Sequence, residues 1–460
     1  MVKRTRSVLR PKVTTKGANL VSHAGAGVLA ELADRVGVTA GLTGLFARHG
    51  HAWRCHEPGV TLVQVATAIA DGARRVRGVD VVRRSGLFPQ VASYSTVWRT
   101  IYRLGGPLEV HGVGEVLAAA RERVWAAAPQ GRVPQALTID VDSTLVDVHS
   151  DKERAEPTYK RGYGMHPIGA WCDDTSEPLA ALLRPGNAGA NSAVDHIDVV
   201  GLAVDGLPVA YQVGHQPGDH PEQVAHPVLV RADSAGASHA FLAHLRSRNL
   251  GFSIGYQISA AVQGALSRLD DQAWAPAVNG DGEPRDGAQV AELTTLVPLD
   301  AWPEGTRLVC RRERPHPGAQ LSLFDTFHGW RHTAFLTDTP SGDLAALELR
   351  HRRHARVEDR IRTWKTTGLL DLPHWDYGTN EAWLALTIIA ATLIAWLQLV
   401  ALHGDLAKAE PNTLRYQLFH TAARLTRHAG RLTLALDRTW PWRHHLAHAY
   451  QHLRAAFPDP

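Results

Sequence analysis

At 460 residues, 44% hydrophobic and 20% charged, the chain is long enough for two or three domains with substantial cores and has the balance of a soluble globular protein. Its cysteines (Cys55, Cys172, Cys310) are far apart and form no CxxC pair, which argues against a disulfide framework or a structural zinc site and fits a reducing cytosol. The net charge of +4 is small but unevenly placed: residues 1–17 carry six Lys or Arg and no acid, and residues 350–365 carry seven against Glu358 and Asp359, as a polyanion-binding surface requires. A frayed cationic tail and a solvated helix would show the same charge. The basic start is followed by no apolar core and cleavage site, so it is not read as a secretory signal.

In chain order, residues 1–16 are expected to be a disordered basic tail. Helical spacing follows over Gly27–Val36 and Thr61–Val76, then from Ser95 to Leu104 and over Leu117–Ala127. Ser93-Tyr94-Ser95-Thr96 resembles the capped start of a recognition helix that carries Arg99 and Arg103, and a plain helical bundle fits the same residues. After Pro129-Gln130-Gly131 the pattern alternates. Strands are predicted at Ala136–Val141, His166–Cys172, Leu179–Leu183, Val228–Arg231 and Phe252–Ile258, with helices at Ala193–Leu202 and Ser238–Arg248. Residues 262–340 hold short strand-like runs, Arg307–Arg311 and Thr333–Thr337, and predict a β-rich insertion. Helix returns from Asp343 to about 404, broken at Leu372–Tyr377, and Asn412–Phe457 is expected to be amphipathic helix. Ala382–Leu402 runs 21 residues without a charge, long enough to span a bilayer, but Thr387, Thr392 and Gln398 and the lack of a flanking basic cluster favour a buried core helix.

Three features bear chemistry. Leu137-Thr138-Ile139-Asp140-Val141-Asp142-Ser143-Thr144-Leu145 is an apolar strand that delivers two carboxylates to one face, about 7 Å apart. Two such acids repel, and a divalent cation relieves them. Val228-Leu229-Val230-Arg231-Ala232-Asp233-Ser234 is a second apolar strand ending in an acid, which alone could equally be a helix cap. Third, His351, His354, Glu358, Arg362 and Lys365 share a face at helical spacing, suited either to a metal ligand among phosphate-binding groups or to a solvated helix with Glu–Arg pairs.

The order strand Asp, strand Asp, β-rich insertion, helix Glu resembles the DDE transposases of bacterial insertion sequences. The pattern is carried by Ile139–Leu145 through His149-Ser150, Pro157-Thr158-Tyr159-Lys160, Gly162–Pro167, Leu183–Asn187 and Arg231–Ser234. It resembles the insertion-sequence thirteen-eighty family or a close relative, over about residues 130–400. The resemblance implies an α/β fold: a ribonuclease-H-like catalytic core (131–261 and 341–405) with a β-rich insertion (262–340), a helical DNA-binding region (17–130) and a helical C-terminal region (406–460). It implies Asp142, Asp233 and Glu358 as catalytic ligands of two Mg²⁺ ions, replaceable by Mn²⁺, with Asp140 competing for the first position. Lys365 matches the lysine of the wider superfamily's Tyr-Arg-Glu-Lys signature, while His351 and His354 stand at its Tyr and Arg positions. With Arg362, Arg99 and Arg103 they are expected to contact DNA, and Trp302 or Trp330 to hold a flipped base, although each Trp also reads as core. The implied partners are double-stranded terminal repeats and target DNA, bound by a homodimer in the cytoplasm. Two rivals remain at this stage. Asp140-x-Asp142-x-Thr144 also matches a haloacid-dehalogenase-like phosphatase with Asp140 as nucleophile, and the charge alone suits a non-catalytic DNA-binding protein.

Overall fold

The computed structural model describes residues 18–459 apart from 54, 89, 316–325 and 328, so the expected basic tail over 1–16 lies outside the described residues. After a short strand β1 (Leu20–Val21) come α1 (Gly27–Arg35), α2 (Val38–Arg48), α3 (Pro58–Ala70), α4 (Asp80–Ser85), α5 (Tyr94–Leu104) and α6 (Pro107–Ala127). Gly37, at φ +88°, turns the chain between α1 and α2 in a conformation that suits glycine. In α3 every residue but Val60 is buried, which is why its apolar run shows little amphipathic pattern. Ser93 caps α5 as expected, its hydroxyl accepting from the Thr96 N–H. Helix α6 begins ten residues before the predicted start, because Pro107 sits in its first turn, where a missing N–H leaves no bond unmade.

The next strands are β2 (Leu137–Ser143), β3 (Val146–Asp147), β4 (Glu156–Pro157), β5 (Tyr163–Met165), β6 (Ile168–Cys172) and β7 (Pro178–Leu182). Helices α7 (Ala193–Asp205) and α8 (Val209–Gln212) lead to β8 (Val228–Ala232), α9 (His239–Ser247), β9 (Gly251–Tyr256) and α10 (Ala260–Arg268). Then come β10 (Ala275–Val278), β11 (Pro284–Glu292), β12 (Arg307–Glu313), β13 (Thr326–Phe327) and β14 (Trp330–Thr337). The chain closes with α11 (Leu344–Arg352), α12 (Val357–Trp364), α13 (Tyr377–Val400), α14 (Pro411–Leu414), β15 (Ala423–His428), β16 (Arg431–Leu436) and α15 (Arg443–Ala456).

One mixed sheet organises the molecule, in the order β10-β11-β12-β14-β9-β8-β2-β6-β7. Strands β2, β8 and β9 are parallel neighbours, and β2-β6-β7 is an antiparallel meander. The segment predicted as an insertion is thus not set apart. Its β14 pairs antiparallel with β9, from Ala334↔Tyr256 to Thr337↔Ser253, covering an edge that would otherwise leave unpaired N–H and C=O groups. Leu293, Leu308 and Leu336 join the same core as the N-terminal helices, a single cluster running from Ala26 to Phe457.

Two other expectations are corrected. The helix through His351 and Glu358 is not continuous: α11 ends at Arg352, a 3₁₀ turn covers Arg353–Arg356, and α12 follows, so the register drifts between them. The tail over 406–460 is helical only in part. β15 and β16 form a hairpin whose two turn residues, Ala429 (φ 48°) and Gly430 (φ 78°), are both left-handed, as a tight two-residue turn demands, and β15 also pairs with β1.

The uncharged helix proves to be a core element. α13 has the length and composition to cross a membrane, yet 94% of its most apolar window is buried inside the protein. Beneath it lies a buried polar knot. Glu177 accepts from Arg121 Nε (2.8 Å), Thr175 Oγ1 (2.8 Å), Trp125 Nε1 (2.7 Å) and Trp396 Nε1 (2.6 Å), tying α6 and α13 to the β6–β7 turn. Arg121 and Glu177 are fully buried, so each needs the other.

Candidate active site

The parallel register of β2 and β8 pairs Val141 with Ala232, so the next residues, Asp142 and Asp233, emerge from adjacent strand ends. Neighbouring strands lie about 4.8 Å apart, which makes these two carboxylates neighbours. Asp142 Oδ1 accepts from the Ser143 N–H at 2.7 Å, and Asp233 Oδ1 accepts from the Ala235 N–H at 2.9 Å while capping the turn that follows β8. Glu358 stands in the first turn of α12 and, with Asp233, lines a cleft of about 730 Å³. Burial, then the charge of Asp233, and more weakly that of Glu358, push the Asp142 carboxyl up to about 6, with His354 opposing them. The three acids therefore feel one another. Among the described residues none of them is ion-paired with Lys or Arg, so an all-oxygen set remains, of the kind that hard divalent cations take.

Asp140 is placed differently, which corrects its expectation as a metal ligand. Its side chain is 1% exposed; Oδ1 accepts from Arg231 Nε (2.8 Å) and contacts His354 Nδ1 (2.8 Å), and Oδ2 accepts from Arg231 NH2 (2.7 Å). Arg231 also bonds Asp173 at 2.9 Å, and these partners hold the Asp140 carboxyl below its usual range despite burial. A carboxylate so enclosed is not presented to a substrate as a nucleophile, which removes the geometric basis of the phosphatase reading. Instead Asp140 orients His354: with Nδ1 engaged, His354 Nε2 is left buried without a partner, on the cleft that Asp233 and Glu358 line. A carboxylate behind one imidazole nitrogen fixes the ring and prepares the other nitrogen to bond a ligand.

The other predicted residues divide. His351 lines the cleft, but its ring stacks on Phe335 (centroids 4.3 Å apart) and bonds Ser253 at 3.0 Å, and burial pushes its pKa down to about 3. It is a neutral wall, not a cation. Lys365 follows α12 into a second, smaller cleft of about 320 Å³ with Ser143, Thr144, Tyr159 and Lys160. Burial and the charge of Lys160 lower its pKa, while Asp147 and Asp142 act the other way. Arg362 is exposed and paired with Asp359 and Glu410. Arg99 and Arg103 lie exposed on α5 beside Trp98 and Tyr102, whose rings stack at 5.3 Å. Trp302 is a packing residue: it sits 4.1 Å from the His239 ring, edge-on to Tyr256, against the main core. Trp330 lies between the guanidinium groups of Arg312 (4.8 Å) and Arg314 (4.2 Å). Neither ring is among the residues that line the larger cleft.

Three residues that matter here had no assigned part in the sequence. Lys160 faces Lys365, Arg331 lines the larger cleft, and Arg231 anchors Asp140. Lys160 and Arg231 had a signal, as the last residue of the Pro157-Thr158-Tyr159-Lys160 motif and the first of Arg231-Ala232-Asp233-Ser234; Arg331 had none. Asp233 and Glu358 thus share the larger cleft with His354 and Arg331, and the smaller cleft holds Lys160 and Lys365 beside Ser143, the neighbour of Asp142, cationic surroundings suited to a phosphodiester backbone.

A family model described as transposase DDE domain group 1 matches residues 4–457 of the chain. Among solved structures, a piggyBac transposase synaptic complex with hairpin DNA, determined by cryo-EM, is similar at 10% identity and a TM-score of 0.39, over 86% of this chain and 79% of that one. No curated protein matches.

Proposed function

The chain belongs to the transposase DDE domain group 1 family, and from that premise we propose that it cuts the ends of a bacterial insertion sequence and joins them to target DNA through Asp142, Asp233 and Glu358. These three would hold two Mg²⁺ ions, which when bound supply activation of the attacking oxygen and stabilisation of the leaving one. Membership of the insertion-sequence thirteen-eighty group, action as a homodimer on paired ends and a cytoplasmic location are parts of the same proposal. So is the view that β7-β6-β2-β8-β9, with its flanking helices, is a ribonuclease-H-like core.

What supports the reading is the placing of Asp142 and Asp233 at adjacent strand ends, where burial first and then the charge of Asp233 raise the Asp142 carboxyl, beside a cleft that Asp233 and Glu358 line with His354 and Arg331. In it, His354 acts as an imidazolium: Nδ1–H donates to Asp140, which fixes the ring, and Nε2–H donates to a phosphate oxygen at the cut. Lys160 and Lys365 hold the strand beside Asp142. Arg99 and Arg103 on α5 contact DNA outside the cleft. The test is Mg²⁺-dependent nicking of DNA carrying the terminal repeats that flank the gene. Cleavage should disappear in Asp233→Asn and in Glu358→Gln while DNA binding persists. Undiminished cleavage in both variants would refute the assignment; turnover of p-nitrophenyl phosphate lost only in Asp140→Asn would favour a phosphatase instead.

A further inference from the structure

A second cluster of ligand-type side chains stands outside the acidic cleft, where three distant stretches of chain meet. His23 precedes α1 and holds a left-handed backbone (φ 56°) with no side-chain capping bond. Asp71 follows the last residue of α3, and His420 follows the π-turn Arg415–Phe419. His23 Nδ1 is 2.6 Å from Asp71 Oδ2, His420 Nε2 is 3.2 Å from Asp71 Oδ1, and the two imidazole centroids are 4.2 Å apart. One nitrogen from each ring and one carboxylate oxygen lie within 4.8 Å of one another.

The burial is uneven in an informative way. The Asp71 side chain is 2% exposed, while His23 and His420 are 28% and 41% exposed. Asp71 Oδ1 is a buried oxygen without a well-formed hydrogen bond, because His420 Nε2, 3.2 Å away, bonds the Asp71 backbone carbonyl (3.4 Å) instead. The nearest buried cation does not answer it. Arg415 commits Nε to the Ala70 carbonyl, NH1 to Asn412 and NH2 to the Thr366 carbonyl. A buried carboxylate oxygen thus faces two imidazoles with no donor properly aimed at it, a costly arrangement that a shared cation would relieve.

We propose that His23, Asp71 and His420 form a binding site for a divalent transition-metal ion, by ligand class Zn²⁺, that clamps the segment before α1 to the C-terminal strands. Two imidazole nitrogens and one carboxylate oxygen are a common three-ligand zinc set, with the fourth position left to water on the exposed side of the rings. Tetrahedral bonds of about 2.0–2.1 Å place ligand atoms roughly 3.3 Å apart, close to the separations found here after a small rotation of His23. The nitrogen content also separates this site from the acidic cleft, since Mg²⁺ selects oxygen ligands. Its position beside the β1–β15 pairing makes the clamp one of chain ends, not of chemistry.

The test is Co²⁺ titration, followed by visible absorption, of the full chain carrying Asp233→Asn and Glu358→Gln so that the cleft does not compete. One Co²⁺ per chain should bind with the strong absorption of a tetrahedral site. Zn²⁺ should displace it, and a large excess of Mg²⁺ should not. The band should vanish in His420→Ala, which alters an exposed side chain, and in His23→Gln, which can still bond Asp71. It should survive His452→Ala, which breaks the separate His403–His452 contact. Absence of a tetrahedral band, its persistence in both site variants, or its loss in His452→Ala would overturn the proposal.

Discussion

Asp142→Asn should make the metal-free protein more stable at neutral pH, even as it removes a group that the proposed reaction needs. The Asp142 carboxyl, 3.8 in a free chain, is pushed up to about 6 by burial and by Asp233 and Glu358. That difference corresponds to at most about 3 kcal/mol. The sign follows from proton binding. Below pH 3.8 the group is neutral in both states and contributes nothing. Between 3.8 and 6 the unfolded chain releases the proton while the folded one keeps it, so stability falls as pH rises, and above 6 the full penalty is present. Asparagine carries no charge and can still accept the Ser143 N–H through its Oδ1. With an unfolding entropy near 2.1 cal/mol/K per residue, a 460-residue chain gains about 1 °C per kcal/mol, so the midpoint should rise by about 3 °C. The assay is thermal unfolding of both proteins in EDTA at pH 8 and at pH 4. The variant should melt higher at pH 8, the gap should close at pH 4, and added Mg²⁺ should stabilise the wild type more than the variant. Equal or lower stability of Asp142→Asn at pH 8 would refute the clustering of the three acids.

Other outcomes follow from the same contacts. Asp140→Ala leaves the buried Arg231 with Asp173 as its one carboxylate, beside the Arg350 carbonyl, and His354 without its anchor; urea unfolding should show a loss of about 3 kcal/mol. Glu177→Leu takes the counter-charge from the buried Arg121, which keeps only the Gly206 and Pro178 carbonyls, and the acceptor from both tryptophan N–H groups, and should cost about 3–5 kcal/mol in the same measurement. Lys160→Gln and Lys365→Gln should each weaken DNA binding across sequences and lower the slope of log K against log salt by about one, read by anisotropy titration. An unchanged slope in both would place the DNA backbone elsewhere.

The sequence alone carried the strands that bear Asp142 and Asp233, because an apolar run ending in an acid is a local pattern and parallel sheets bury such runs on both faces. It carried the capped start of α5 and the buried character of α13 for the same reason: propensity, capping and hydropathy act over a few residues. Tertiary structure decided what depends on register and on partners far along the chain. Asp140 and Asp142 look equivalent at a spacing of two, yet Arg231 from the neighbouring strand and His354 from a distant turn enclose one and leave the other to Asp233 and Glu358. Strands from 275–337 became part of the central sheet only because β9 offered an open edge. The Ala423–Leu436 stretch became a hairpin through two left-handed turn residues and the pairing of β15 with β1, near the opposite chain end. Ligand sets drawn from positions 23, 71 and 420 leave no mark in local sequence, since only packing brings such residues within a bond length of a shared ion.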